Sequence, residues 1–260
     1  GSMVDQNPPQ RASRRKVIAA AGSLAAFAAV PVAAEAQTAS TEEIYKKSLQ
    51  LRKKNGWNND EWRKYLQEKT KNRDITVNTL KMSKPMQPDD GGEVGTQRIK
   101  DKSNLNLTCT LVGDGVTAYA DMEFEAEDSI WMLGDAPKDG LGFGWDADEY
   151  DYDGDSNNGW YASDKSLINI ESYSGRGVSF GFKDNGHVQE GHWVSVDLLT
   201  EGGTSSTRNV IFSYMHTWRG TDIKSISIAT DGTITVNLED NTKKWDSPVQ
   251  DQLFEERVYV

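Results

Sequence analysis

The stretch of this sequence richest in groups able to do chemistry runs from Asp146 to Gly159, Asp-Ala-Asp-Glu-Tyr-Asp-Tyr-Asp-Gly-Asp-Ser-Asn-Asn-Gly. Six carboxylates in its first ten residues repel one another unless water or a cation lies between them. Asp151, Asp153 and Asp155 stand at alternate positions with Asn157 beyond, the pattern of a loop that offers short oxygen donors to Ca²⁺. Counted from Asp151 as an EF-hand, position 6 is Ser156 in place of glycine and position 12 is Ala162 in place of glutamate, so an EF-hand is excluded. The expectation is an irregular calcium loop, with a merely solvated acidic loop as the alternative.

Beside it, Trp160 and Tyr161, and later His216 and Trp218, form a set of aromatic and imidazole groups suited to stacking on a sugar. They are the expected ligand-binding residues, against the competing reading that most are core. His187 and His192, five residues apart and without a third donor, make a weak zinc signal. No G-x-S-x-G, H-E-x-x-H or P-loop occurs. Glu123 and Glu125 represent the paired carboxylates a glycosidase needs, but acidic residues are too common here to single them out. No catalytic residue is therefore assigned. Asn106-Leu107-Thr108 is a glycosylation sequon, with Asn106 as acceptor.

These groups sit in a chain of 260 residues with net charge -11, one cysteine and 36% hydrophobic residues. A single cysteine excludes an intramolecular disulfide framework and thiolate zinc sites of the C-x-x-C type. A pI near 4.8 argues against nucleic-acid binding. Mean hydropathy is -0.67, yet 8 Trp, 9 Tyr and 7 Phe supply an aromatic core.

Gly1 and Ser2 read as residues added in cloning before Met3. Ser13-Arg14-Arg15-Lys16 then opens a charged region, Ala19 to Val32 a weakly apolar one, and Ala34-Glu35-Ala36 an A-x-A cleavage pattern. The pair Arg14-Arg15 resembles the twin-arginine signal, which implies the twin-arginine export machinery as a partner and passage across the membrane already folded. The apolar run of 14 residues is shorter than a spanning helix needs, so the mature form is expected to lack a transmembrane helix. Past residue 36 the chain carries 25 basic and 38 acidic residues, net -13. With its signal, its acidity and its single cysteine it resembles the secreted proteins of haloarchaea, in which dense carboxylates hold water in concentrated salt.

The expected organisation is a signal over 1–36, a helical hairpin over 37–72 and a β domain over 73–260. Ser40-Thr41-Glu42-Glu43 is a capping box before Ile44, Tyr45, Ser48, Leu49 and Leu51, and Lys46, Lys47, Arg52, Lys53 and Lys54 read as cations suiting the helix dipole. Asn58 or Asn59 caps a second helix to about Thr70, with Trp62, Tyr65 and Leu66 as its stripe. The pair is expected to dock its aromatics on the larger domain, or to meet another copy or a surface partner.

From Asp74 the period changes to two. Leu105, Leu107, Cys109 and Leu111 alternate with polar residues, as do Ala118, Ala120, Met122 and Phe124 after the Gly113-Asp114-Gly115 turn. Similar strands are expected at 129–133, 141–145, 167–170, 177–183, 192–199, 208–216, 223–229 and 233–238. Nine to eleven strands without intervening helices predict a mainly β fold, an antiparallel β-sandwich or jelly roll preceded by the helical hairpin. The leading functional expectation is a secreted or cell-surface, non-enzymatic protein that binds a surface glycan, polysaccharide or protein, with Ca²⁺ ordering the acidic loop. Two alternatives stand beside it. One is a structural subunit that self-assembles by strand addition through an edge strand or the 84–98 loop; the other is an extracellular polysaccharide hydrolase.

Overall fold

The computed structural model describes residues 39–85, 104–126, 138–183, 191–202, 208–215, 223–228, 234–238 and 253–259. Helix α1 (Thr41–Asn55) begins at the expected capping box, with Ser40 and Glu43 each accepting from the other's backbone N–H, and ends at Gly56 in the left-handed region. Helix α2 (Asn59–Thr70) is opened by Asn58 and Glu61 in the same reciprocal way.

All strand pairing among the described residues is antiparallel. Strands β1 (Thr76–Pro85), β2 (Asn104–Gly113), β3 (Thr117–Ala126) and β9 (His192–Thr200) run in that order, and the short β5 (Tyr150–Tyr152) and β6 (Trp160–Ala162) both pair with β9. The second sheet has the order β13 (Leu253–Tyr259), β10 (Asn209–Met215), β4 (Lys138–Gly144), β8 (Gly177–Lys183) and β7 (Ile168–Ser174). A hairpin of β11 (Ile223–Ile228) and β12 (Ile234–Leu238) lies against the second sheet.

Period-two alternation sends the residues of each strand to opposite faces. Leu105, Leu107, Cys109 and Leu111 of β2 join Ala120, Met122 and Phe124 of β3 and Val194, Val196 and Leu198 of β9 on the inner face. They meet Phe143, Phe180, Phe182, Phe212 and Tyr214 of the second sheet, with Phe124 and Phe182 edge to face at 4.9 Å. This is the expected sandwich, and Cys109 is buried in it as expected. On the outer face of the second sheet Gly140, Gly142 and Gly144 pair with Gly181, Ser179 and Gly177, which leaves room for the β11–β12 backbone to approach.

The first sheet is covered on its other face too. Tyr45, Leu49, Trp62 and Leu66 of the helices form a second core with Val112, Tyr119 and Trp193. Trp62 and Leu66 of the expected stripe therefore dock on the sheet, with Tyr45 stacking on Tyr119 at 4.0 Å, whereas Tyr65 packs on Trp57 at 5.5 Å. Residues Ala39–Val260 form one compact unit. The chemistry of this interface departs from expectation at Arg52, which the sequence reads as a cation suiting the helix dipole. It is buried, with Nη1 3.0 Å from both Asp121 carboxylate oxygens and Nη2 2.5 Å from Glu123, between the rings of Trp62 (4.5 Å) and Trp193 (4.7 Å).

Strands β5, β6 and β13 are additional to those expected, and β1 carries the entry strand expected at Ile75, Val77 and Leu80 on to Pro85, into the expected 84–98 loop. The strand expected at 129–133 lies outside the described residues. Breaking a buried ion cluster by removing one partner leaves uncompensated charge in the interior. Arg52→Met is expected to lower the unfolding free energy by about 3–5 kcal/mol in urea titration. Adding Asp121→Leu is expected to recover part of that loss, and a neutral Arg52→Met would contradict this account.

Candidate functional site

The outer face of β1, β2 and β3 runs beyond the end of α2, and there it forms the wall of a polar groove of about 370 Å³. Asn106 and Thr108 of β2, Glu123 and Glu125 of β3, Lys81 of β1 and Asn59 of α2 line it. The alternation of each strand places these side chains on the helix-facing side, and α2 stops short of covering them. Glu123 fixes one end: one oxygen takes the Arg52 guanidinium and the other accepts the Asn59 backbone N–H at 3.1 Å, at the positive end of the α2 dipole. Lys81 is held by Asp60 at 2.8 Å. Glu125 is exposed, and partial burial together with the neighbouring Glu123 pushes its carboxyl above the usual range. Asn59, only 2% exposed, keeps a side-chain oxygen without a hydrogen-bond partner.

The carboxylates set aside as an uninformative pair thus line one groove, but only Glu125 is available for a ligand, because Glu123 already holds both helices. Asn106, the sequon acceptor, is half-buried in the groove wall.

The acidic loop lies elsewhere, between β5 and β6. Its two stems are tied to β9, Asp153 N–H donating to the Asp197 carbonyl and Asp197 N–H to the Gly159 carbonyl. A Cβ at Gly154 would sit 2.3 Å from the Asn158 carbonyl oxygen, and Gly159 has φ +78, so both glycines are required for the narrow neck. Asp155 accepts from the Asn157 and Asn158 backbone N–H groups at 2.6 and 3.0 Å, bonds that lower its carboxyl below the usual range. Its first oxygen therefore braces the turn. Asp151 takes the Tyr152 N–H, Asp153 is half-buried and Asn157 exposed. Among the described residues no three His, Cys, Asp or Glu side chains gather in a metal-binding arrangement.

Trp160 is not available for stacking on a ligand. It is 6% exposed, packed on Phe180 at 5.4 Å, and covered by the Lys165 ammonium at 3.8 Å. As a large apolar ring on a sheet edge it is used for burial, the competing reading of the sequence. Tyr161 is half-buried and donates its hydroxyl to Asp197 at 3.0 Å. His216 and Trp218 lie outside the described residues, as do the signal residues Arg14, Arg15, Ala34 and Ala36. Among the described residues, no helix is long and apolar enough to cross a membrane.

The sequence matches no family profile and no curated protein. Several solved β domains are similar to parts of it. The N-terminal domain of an adhesin from Streptococcus gordonii aligns at 11% identity and TM-score 0.31, over 47% of this chain and 30% of its own length. The chain thus spans less than a third of that structure. A type I cohesin from Pseudobacteroides cellulosolvens aligns at 15% identity and TM-score 0.26, over 47% of this chain and 75% of its own. The KRT10-binding region domain of a pneumococcal serine-rich repeat protein aligns at 10% and 0.30, over 64% and 99%.

Two carboxylates that the sequence reading passed over titrate abnormally. Burial pushes Asp121 up to about 6 against the pull of Arg52, and burial likewise pushes Asp197 up to about 6 against the Tyr161 hydroxyl and Lys46. Between about pH 4, where unfolded aspartate ionises, and pH 6 the folded state holds protons that the unfolded chain has released. Their contribution to stability is therefore full below that window and lost as pH rises through it. Urea unfolding is expected to show free energy falling from pH 4.5 to 6.5, with a shallower fall in Asp197→Asn. A profile that climbs across the window, or is unchanged in the variant, would refute the assignment.

Proposed function

We propose that this chain is an exported, non-enzymatic β-sandwich protein that binds a glycan of the cell surface or its surroundings in the polar groove beside α2. The reading is carried by one observation: a groove of about 370 Å³ walled by amide, hydroxyl, ammonium and carboxylate groups held on rigid strands. Ligand sites typically span about 300–1,000 Å³, and fixed polar side chains on strands orient a polyhydroxylated ligand without an ordering cost at binding. Against hydrolysis by this pair, Glu123 has both oxygens engaged and cannot serve as acid, base or nucleophile without releasing Arg52 and the α2 terminus. The twin-arginine-like leader supports delivery outside the cytoplasm.

The test is affinity electrophoresis through gels carrying xylan, hydroxyethylcellulose or alginate. The chain is expected to be retarded on at least one, and Asn106→Ala with Glu125→Gln to weaken that binding about tenfold, roughly 1.4 kcal/mol. Migration unaffected by every polysaccharide, or retardation untouched by the double variant, would sink the proposal.

A further inference from the structure

The charge of this acidic chain is unevenly divided. Residues 39–73 carry ten basic and five acidic side chains, net +5, whereas 74–260 carry 15 and 33, net -18. Each part displays its charge around an apolar feature. Between the two helices lies a groove of about 470 Å³ with a mainly apolar floor that includes Ile44 and Tyr65, rimmed by Lys47, Lys69 and Arg73 and by Glu43, whose carboxylate accepts the Ser40 N–H of the α1 cap. Lys47, Lys69 and Arg73 are all exposed, and the Lys69 ammonium stands 5.7 Å from the Tyr65 ring centre.

The sandwich presents the reverse. Tyr173 of β7 is 47% exposed, one of two large hydrophobic residues so displayed among the described residues. It rests on Tyr152 at 5.7 Å, and the Tyr152 hydroxyl is held by the carbonyls of Asp155 and Asn158 in the acidic loop. Asp151, Asp153, Asp155 and Glu171 surround this aromatic step in sequence, and the Asp151 carboxylate reaches the β7–β8 turn at Gly175. One surface is an apolar hollow whose rim carries three cations and one carboxylate; the other is an aromatic projection amid carboxylates. They share no residue.

We propose that these two surfaces bind each other between copies: the Tyr173 face of one protomer docks in the α1–α2 groove of the next. Apolar contact supplies the area, and opposite charge supplies orientation and encounter rate. Because the two surfaces differ, the contact is heterologous, and repetition yields an open filament or a ring in place of a closed two-fold dimer. This assembly stands on observations separate from the glycan groove and leaves that groove open. The ion pairs lie at an exposed rim, so screening weakens them: the Debye length falls from about 10 Å at 0.1 M salt to about 3 Å at 1 M.

Sedimentation velocity on the full chain tests the proposal. At 50 mM salt the wild type is expected to grow with concentration beyond a dimer, and at 1 M salt to shift toward monomer. Tyr173→Ala and Lys47→Glu/Lys69→Glu change exposed positions, so each is expected to keep the wild-type circular dichroism and melting temperature and to be monomeric at 50 mM salt. Mixed, they retain one intact Tyr173 face and one intact groove between them, and the expected product is a 1:1 dimer that grows no further. A wild type monomeric at every concentration, an association that survives in either variant, or a mixture that stays monomeric would each overturn the proposal. So would a monomeric wild type that binds alginate through the groove and loses it in Lys47→Glu/Lys69→Glu, which would assign the hollow to an anionic polymer.

Discussion

A guanidinium taken out of water between two tryptophan rings is costly unless its charge is compensated, and the architecture around Arg52 answers that cost at both terminal nitrogens, while the buried Nε has no hydrogen-bond partner among the described residues. Asp121 and Glu123 stand two residues apart on β3, the spacing that puts both on the helix-facing side, and together they take both terminal nitrogens. Glu123 then spends its second oxygen on the first turn of α2. The Arg52 side chain of α1, the Asn59 backbone of α2 and strand β3 are thereby fixed in a single network, with Tyr45 to Ser195 and Trp62 to Ser48 as further hydrogen bonds in the same layer. The helices cannot shift along the sheet without separating buried charges.

That constraint gives the first sheet two buried faces. Its inner face is an ordinary sandwich core, and its outer face is half aromatic packing, half ion network. Where the helical cover ends, the same strands continue outward with Asn106, Thr108 and Glu125, so the groove is a by-product of how far α2 reaches. The acidic balance has a corresponding division. Carboxylates on the loop side are arranged by backbone N–H donors and glycine geometry, as at Asp155, while those under the helices are arranged by Arg52. Acidity serves different physical ends in the two places.

The fold was largely legible because its signals are local. Alternation in Leu105–Leu111 and Val210–Tyr214, the Gly113-Asp114-Gly115 turn, the Ser40–Glu43 capping box and the asparagine cap of α2 each act within a few residues, and the structure follows them. Strands β5 and β6 were obscured because they are three residues long and embedded in charge, stabilised by pairing to β9. The site was far less legible. Arg52 sits in a run of cations that reads as suiting the helix dipole, yet it falls on the stripe Tyr45, Ser48, Leu49, Arg52, at helix spacings that mark one buried face. Asp121, Glu123 and Asp197 occupy outward positions that look solvent-facing until the helices are known to cover them. Trp160 misled in the opposite sense: an aromatic next to an acidic loop suggests a ligand, but its ring is needed on Phe180.

The central claim is that the helical pair and the sandwich are one cooperative body held by the Arg52 network. Native-state hydrogen exchange, read at amides within α1 and α2 and within β3 and β9, tests it directly. The account predicts that the slowest amides of the helices and of the two strands open with the same free energy and the same denaturant dependence, by global unfolding alone. Helical amides that exchange through a lower-energy opening while β3 and β9 stay protected would contradict it, because the helices would then be an appendage and the buried charges dispensable.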